Sequence, residues 1–397
     1  MNVQRLRDYI QPRWKILAAY AVVVALLGFA LGWQLGSLPG GYSSAEVNVY
    51  QSSLQFFHPK MFLENPLNAP FMVGVRALQY VFPHHLIVVR LVSVFIGVVA
   101  LAAFTLLLRS WQGKRTAIFG ALLFGFSAWF LHTARLGTPD VLLFGVGILF
   151  AAGYWLKTTM SWLALLACVL SSLTLLYVPG MVWFVALGVL WQWKVIDRAF
   201  KKHLIITSAA GVLFLAVLAP LAWALYKHHA LLITWAGLPS QWPTLIEIAK
   251  NVVAVPFHLF VHNEVDPMTW LGTSAIFDVC SLVLFILGGY DYLRRIKLIR
   301  TPLFISAIVL AIALIAVGGN VTFTVIIPLL YVVIAGGASR LIEQWFAVFP
   351  RNPIARSIGW ASVSVLVGLA CAYQLTHYFV GWPQASATRD TFTVKKL

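Results

Sequence analysis

Residues 36 to 85 read GSLPGGYSSAEVNVYQSSLQFFHPKMFLENPLNAPFMVGVRALQYVFPHH, and what stands on either side of them decides the fold. Before them, residues 14 to 35 form the apolar run WKILAAYAVVVALLGFALGWQL; after them, residues 86 to 108 form LIVVRLVSVFIGVVALAAFTLLL. Each flank is long enough to cross a ~30 Å hydrocarbon layer as a helix. Such runs recur along all 397 residues, of which 61% are hydrophobic and 10% charged, a balance that excludes a soluble globular domain. Only helices and closed barrels satisfy their backbone groups in lipid, and these runs lack the alternation of barrel strands. The expected architecture is an all-α polytopic membrane bundle, one domain over residues 1 to 397 with no separate soluble unit.

Basic residues set the expected orientation. Arg5, Arg7, Arg13 and Lys15 precede the first span, which places the N-terminus in the cytoplasm and the 36 to 85 loop outside. Further spans are expected at 86 to 108, 116 to 133, 141 to 157, 161 to 177, 179 to 193, 204 to 226, 271 to 290, 302 to 318, 321 to 339 and 358 to 379. A second long external loop covers 227 to 270. This eleven-span arrangement puts 19 of the 28 Lys and Arg residues inside. The formal charge of +16 is thus spread over short loops between spans, which argues against a nucleic-acid-binding surface. Cys168, Cys280 and Cys371 fall within apolar runs and read as small core residues, not a disulfide framework.

Only twelve residues are acidic, so each acid is weighed singly. Glu46 follows the first span among small and polar neighbours. A carboxylate there can take a proton from a hydroxyl acceptor if a dry pocket raises its pKa, or it can be a solvated loop acid. Glu64 and Asn65, in Leu63-Glu64-Asn65-Pro66-Leu67, are the other notable polar element of the loop. Asp140 opens the fourth span behind Thr138-Pro139. A helix-start role competes there with a role as a second carboxylate on the surface that carries Glu46. Arg90 lies inside the outer end of the second span, where an arginine must snorkel, pair with an acid or bind an anion. Arg135 precedes Asp140 as an outer-face cation.

Nine of the ten histidines fall on the outer side, among them His258 and His262 at a spacing that shares a helix face. No HExxH or acid-rich ligand pattern accompanies them, so no protein-bound metal is assigned. A divalent ion held by Glu46 or Asp140 against a phosphate stays open. Mid-depth charges and internal repeats, which mark transporters, are absent from most of the spans.

The order of these pieces carries a resemblance. An acid in a small-residue stretch after the first span is followed by Asn65-Pro66-Leu67, then by Arg90 before Ser93 and Gly97. Ala134-Arg135-Leu136 with Asp140 comes next. His262-Asn263-Glu264, Asp266-Pro267 and Asp278 close the second loop, and Tyr378-Phe379-Val380-Gly381-Trp382-Pro383 follows the last span. The arrangement resembles the GT-C fold glycosyltransferases, within them the protein O-mannosyltransferase and aminoarabinose-transferase-like group.

The resemblance implies an inverting transferase that takes a sugar from a polyprenyl-phosphate donor lipid at the outer face of a prokaryotic cytoplasmic membrane. Its other partners would be membrane lipids and an acceptor glycan, lipid or protein. It implies Glu46 as general base, Asp140 as second acid and Arg90 and Arg135 as donor-phosphate cations. Glu64, Asn65, His262 and Glu264 would be loop residues near substrate. Family members commonly carry two adjacent acids in the first loop, and here Ala45 stands before Glu46. A flippase for lipid-linked glycans, or a non-catalytic scaffold of the same shape, is the alternative reading.

Overall fold

The computed structural model describes residues 14–56, 58–262, 268, 274–294 and 300–395. Helix α1 (Trp14–Gly32) leads into the first loop, which holds α2 (Ser44–Gln55), α3 (Pro59–Glu64) and α4 (Ala69–Val81). Then follow α5 (Ile87–Trp111), α6 (Lys114–Gly125), α7 (Ala128–Arg135), a 3-10 helix at Pro139–Phe144, α8 (Gly145–Thr159), α9 (Trp162–Leu176), α10 (Val182–Lys202) and α11 (Leu204–Lys227). The second loop holds α12 (His229–Trp235) and α13 (Leu245–Phe260). The last part comprises α14 (Val279–Arg294), α15 (Arg300–Ala316), a 3-10 turn at Phe323–Val325, α16 (Ile327–Val348), α17 (Pro353–Thr376), α18 (Trp382–Gln384) and α19 (Ser386–Thr391).

Ten of the eleven expected spans fall largely on helix, the third on the α6–α7 pair; the eighth, expected at 271 to 290, begins in part outside the described residues and is helical from Val279. Among the described residues, 5 helices are long and apolar enough to cross a membrane, or 6 if the bent α6–α7 pair counts as one span. Ala21–Gly32, Trp162–Leu176 and Thr301–Ala316 are apolar but shorter. The chain is an integral, multi-pass helical membrane protein.

Burial ranks these helices. The apolar window of α16 is 83% buried and that of α11 only 17%, so α16 is the hub of the bundle and α11 lies at its margin. Ile205, Val212 and Leu215 on α11 point outward, as side chains facing lipid tails do. Between α14 and α16 the backbones nearly touch. A Cβ built on Gly288 would lie 2.0 Å from the Val333 carbonyl oxygen, and one on Gly337 would lie 1.9 Å from that of Leu284. Small residues at such a crossing let dispersion and close backbone contact hold helices that gain little from burial in lipid.

Several boundaries differ from expectation, each for a local reason. The third span breaks by 63° between α6 and α7. Ser127 donates to the Phe124 carbonyl at 2.7 Å and accepts from the Phe130 N–H at 3.2 Å, ending one helix and capping the next. Helix α10 runs on to Lys202, where Lys201 and Asp197 pair at 2.9 Å across one turn. The two long loops are themselves helical in part: Ser43 with Glu46 and Thr244 with Glu247 form capping boxes that start α2 and α13. The chain end returns to the first loop. Tyr42 N–H donates to the Val394 carbonyl at 2.7 Å and Val394 N–H to that of Tyr42 at 3.2 Å, so residues 385–395 and 36–46 share one face of the bundle.

Candidate active site

The capping box that starts α2 turns the Glu46 carboxylate into the protein. Its Oε2 accepts from the Ser43 N–H at 2.9 Å, and its Oε1 accepts from the Gly137 N–H at 2.9 Å. Arg90, from the first turn of α5, donates Nε to Oε1 at 2.6 Å and Nη2 to Oε2 at 2.9 Å. The remaining guanidinium hydrogens go to the carbonyls of Leu35, Leu38 and Gly41, at 2.7, 2.8 and 2.6 Å. The Tyr42 ring lies 4.2 Å beneath the guanidinium, and burial raises the Tyr42 hydroxyl above its ordinary pKa. Glu46 is 0% and Arg90 1% exposed. Only glycine fits at position 137, because a Cβ there would lie 2.3 Å from the Val89 side chain.

Arg135 closes the end of the first span. Its Nη1 donates to the Ala30 carbonyl at 2.8 Å and its Nη2 to that of Trp33 at 2.5 Å, where α1 leaves C-terminal carbonyls without helical partners. The guanidinium sits 5.1 Å from each of the Tyr378 and Phe379 rings. Beside it His132 packs edge-on against Tyr378 and Trp382, at 4.7 and 4.4 Å. The Tyr378 to Pro383 stretch thus covers Arg135 from the far end of the chain.

Asp140 stands apart from this buried knot. It occupies the first turn of the 3-10 helix behind Thr138-Pro139, as its helix-start reading requires, and it lines a cavity of about 450 Å³. Leu136 and Thr138 line the same cavity. Gly137 between them binds Glu46, so the buried pair touches the cavity wall from behind. Helix α7 contributes Trp129 and Thr133, and Trp129 Nε1 donates to Thr324 Oγ1 at 3.1 Å. Thr322 and Thr324, just before α16, add two hydroxyls opposite.

Helix α13 supplies the remaining wall. Asn251 and His258 line the cavity, and Asn251 Nδ2 is tied to the Ala316 carbonyl at 2.9 Å. His258 Nδ1 lies 3.0 Å from the His262 carbonyl. Helix α13 ends at Phe260, so His258 and His262 do not share a helix face as their spacing suggested; the second histidine offers its backbone. Among the described residues, no three His, Cys, Asp or Glu side chains come together as a metal site. Next to the cavity, an open apolar groove of about 680 Å³ runs along α13 past Leu245, Ile246, Val253 and Phe257, with Lys250 on its wall. Ala254 lines both spaces.

Of the sequence-derived site residues, the fold brings Glu46 and Arg90 into direct contact and puts Arg135 at the neighbouring end of α1. Asp140 faces the cavity that none of these three lines. Glu64 and Asn65 are exposed; Asn65 Oδ1 accepts from the Leu67 N–H at 3.2 Å, an Asx turn that leads into α4. Exposed His262 takes part through its carbonyl, and Glu264 lies outside the described residues. Asp278 accepts from Ser281 and Gln374, joining the start of α14 to α17. Sequence reading did not single out Asn251, Thr322 and Thr324; two hydroxyl residues opening an otherwise apolar span were the available signal.

Solved structures share the fold of this chain. The crystal structure of ArnT from Cupriavidus metallidurans in the apo state is similar to this chain with a TM-score of 0.57 at 13% identity, over 95% of this chain and 78% of ArnT. The fold is the GT-C fold. The structure of the same ArnT bound to undecaprenyl phosphate gives a TM-score of 0.54 at 14% identity, over 96% of this chain and 78% of that one. No family model and no curated protein matches the chain in sequence. The GT-C fold therefore reaches this chain through helix order and packing, with identities at which sequence comparison finds nothing.

Proposed function

We propose that this GT-C protein transfers a sugar from a polyprenyl-phosphate carrier to an acceptor hydroxyl, with inversion, at the cavity beside Asp140. The observation that carries the reading is the junction at Ala254 of a cavity that presents Asp140, Asn251, His258 and threonine side chains on a largely apolar wall with an apolar groove open to the surroundings. A lipid-linked sugar has those two parts in one molecule. Leu245 and Val253, 85% and 72% exposed on α13, would meet the isoprenoid chain as it enters from the membrane. Lys250 and Asn251 are next to the junction, where the phosphate would lie. The ArnT structure with undecaprenyl phosphate supports the same ligand class here.

Polyprenyl phosphate leaves readily, so the chemistry demands a positive setting for the departing phosphate and negative charge near the anomeric carbon, which gains positive character as its bond to phosphate breaks. In this reading Asp140, which lines the cavity, is the carboxylate for the second task. Glu46 is not: both its oxygens are committed to Arg90, Gly137 and Ser43, and a base bound this fully would have to break the pair to accept a proton. In this reading Glu46, Arg90 and Arg135 hold the first loop and α1 around the site. The reaction takes place on the outer face of a prokaryotic cytoplasmic membrane with the N-terminus inside, an orientation supported by the loop distribution of Lys and Arg.

The test is discharge of donor. Purified protein in proteoliposomes, given labelled polyprenyl-phosphate sugars and extracted envelope acceptors, is expected to release polyprenyl phosphate. Asp140→Asn should bind the lipid and release none. Lipid bound and never discharged by wild type, under every donor and acceptor, would leave a flippase or a scaffold.

A further inference from the structure

We infer that the imidazole of His258 takes the proton from the acceptor hydroxyl, a role that rests on the transfer reading and supplies the base it lacks. Glu46 has both its carboxylate oxygens engaged, by Arg90, Gly137 and Ser43, and its neighbour Ala45 offers no second carboxylate. Two titratable side chains line the cavity among the described residues, Asp140 from the 3-10 helix and His258 from α13. The walls from α7, the end of α15 and the turn before α16 present no charged group; Lys250 and His262 are the neighbouring titratable groups on and just past α13.

Geometry sets the tautomer. The His262 carbonyl, 3.0 Å from Nδ1, can only accept, so the neutral ring carries its hydrogen on Nδ1 and keeps its lone pair on Nε2. The ring is held edge-on to Phe323 at 6.0 Å, and the backbone around it is pinned by Phe277 N–H to the Leu259 carbonyl at 2.8 Å. A base with one nitrogen anchored and the other left as an acceptor is the arrangement general-base catalysis uses.

The step balances. Nε2 takes the acceptor proton; the acceptor oxygen forms a bond to the anomeric carbon from the face opposite the phosphate; the carbon–oxygen bond to phosphate breaks and its electron pair leaves with polyprenyl phosphate. His258 then carries the proton as an imidazolium in the cavity that Asp140 lines, and returns it to water or product phosphate.

The experiment compares donor discharge by wild type, His258→Asn and His258→Ala in proteoliposomes. Asparagine keeps a donor toward the His262 carbonyl and removes the base, so His258→Asn should elute as a folded protein with unchanged donor KM and kcat reduced on the order of 100-fold or more. Added imidazole should restore part of the His258→Ala rate, in proportion to its unprotonated fraction. If the asparagine variant does not fold, the rescue series decides alone. Wild-type kcat in folded His258→Asn, or no rescue of folded His258→Ala at any imidazole concentration, overturns the assignment while leaving the transfer reading intact. No discharge by wild type removes the transfer reading itself.

Discussion

Arg90 and Glu46 stand 44 residues apart in the chain and form a bidentate pair, at 2.6 and 2.9 Å, with neither side chain more than 1% exposed. Through the Gly137 N–H the same carboxylate reaches the turn that leads to Asp140. One pair therefore joins the first loop, the second span and the wall of the cavity.

Breaking a buried pair on one side leaves an uncompensated charge, which costs about 3–5 kcal/mol. Glu46→Ala and Arg90→Ala should each lower the thermal midpoint of the detergent-solubilised protein substantially. The double variant should lose less than the sum of the two, since it strands neither charge. Additive losses would show that the two side chains act separately.

The α14–α16 crossing predicts an asymmetry between adjacent glycines. Gly337→Ala and Gly288→Ala drive a Cβ into backbone that cannot yield and should cost upwards of about 1–3 kcal/mol, the usual range for overpacking. Gly289→Ala meets nothing within 4 Å and should be tolerated. Yield of monodisperse protein from size exclusion reads the difference, and equal behaviour of Gly288 and Gly289 would contradict the packing.

Ala45 lies in the first turn of α2, where an added acid is favoured by the helix dipole by roughly 0.3–1 kcal/mol. Ala45→Asp should therefore fold at least as well as wild type. With proton transfer at the cavity, its rate of donor discharge should stay at the wild-type value. A large gain in rate would place the reacting hydroxyl at the first loop instead.

The start of α13 should respond to pH. Hydrogen bonds from the Thr244 N–H and then its hydroxyl hold the Glu247 carboxyl below its ordinary pKa. A depressed carboxylate pKa stabilises the folded form above the ordinary carboxylate range and loses that contribution as pH falls through the folded value. Hydrogen exchange at residues 245–249 should speed up selectively in acid beyond the intrinsic pH dependence, and Thr244→Ala should remove most of that excess. An unchanged profile in Thr244→Ala would mean that the capping box does not govern this end.

The spans were legible because a lipid-crossing helix needs a long apolar run, a signal local in sequence. What the loops do was less legible. Helices α2 and α13 begin at capping boxes whose residues, Ser43 with Glu46 and Thr244 with Glu247, read equally well as polar loop. The arginine at depth was read as snorkelling, pairing with an acid or binding an anion; it pairs with Glu46, a contact across 44 residues that local sequence does not reveal. Asp140 was read both as helix start and as site carboxylate; it does open a 3-10 helix, and it lines the cavity at which we propose the transfer. The cavity itself was hidden, since its threonines and Asn251 come from four separate places in the chain, α7, the start of the first 3-10 helix, α13 and the turn before α16, that only packing assembles.

The most direct measurement compares the two carboxylates in one assay: donor discharge by Asp140→Asn and Glu46→Gln, each normalised to its folded fraction by size exclusion. Asp140→Asn should be well folded and inactive, and Glu46→Gln less stable but active per folded molecule. A folded, inactive Glu46→Gln beside an active Asp140→Asn would contradict the account and return the chemistry to the first loop.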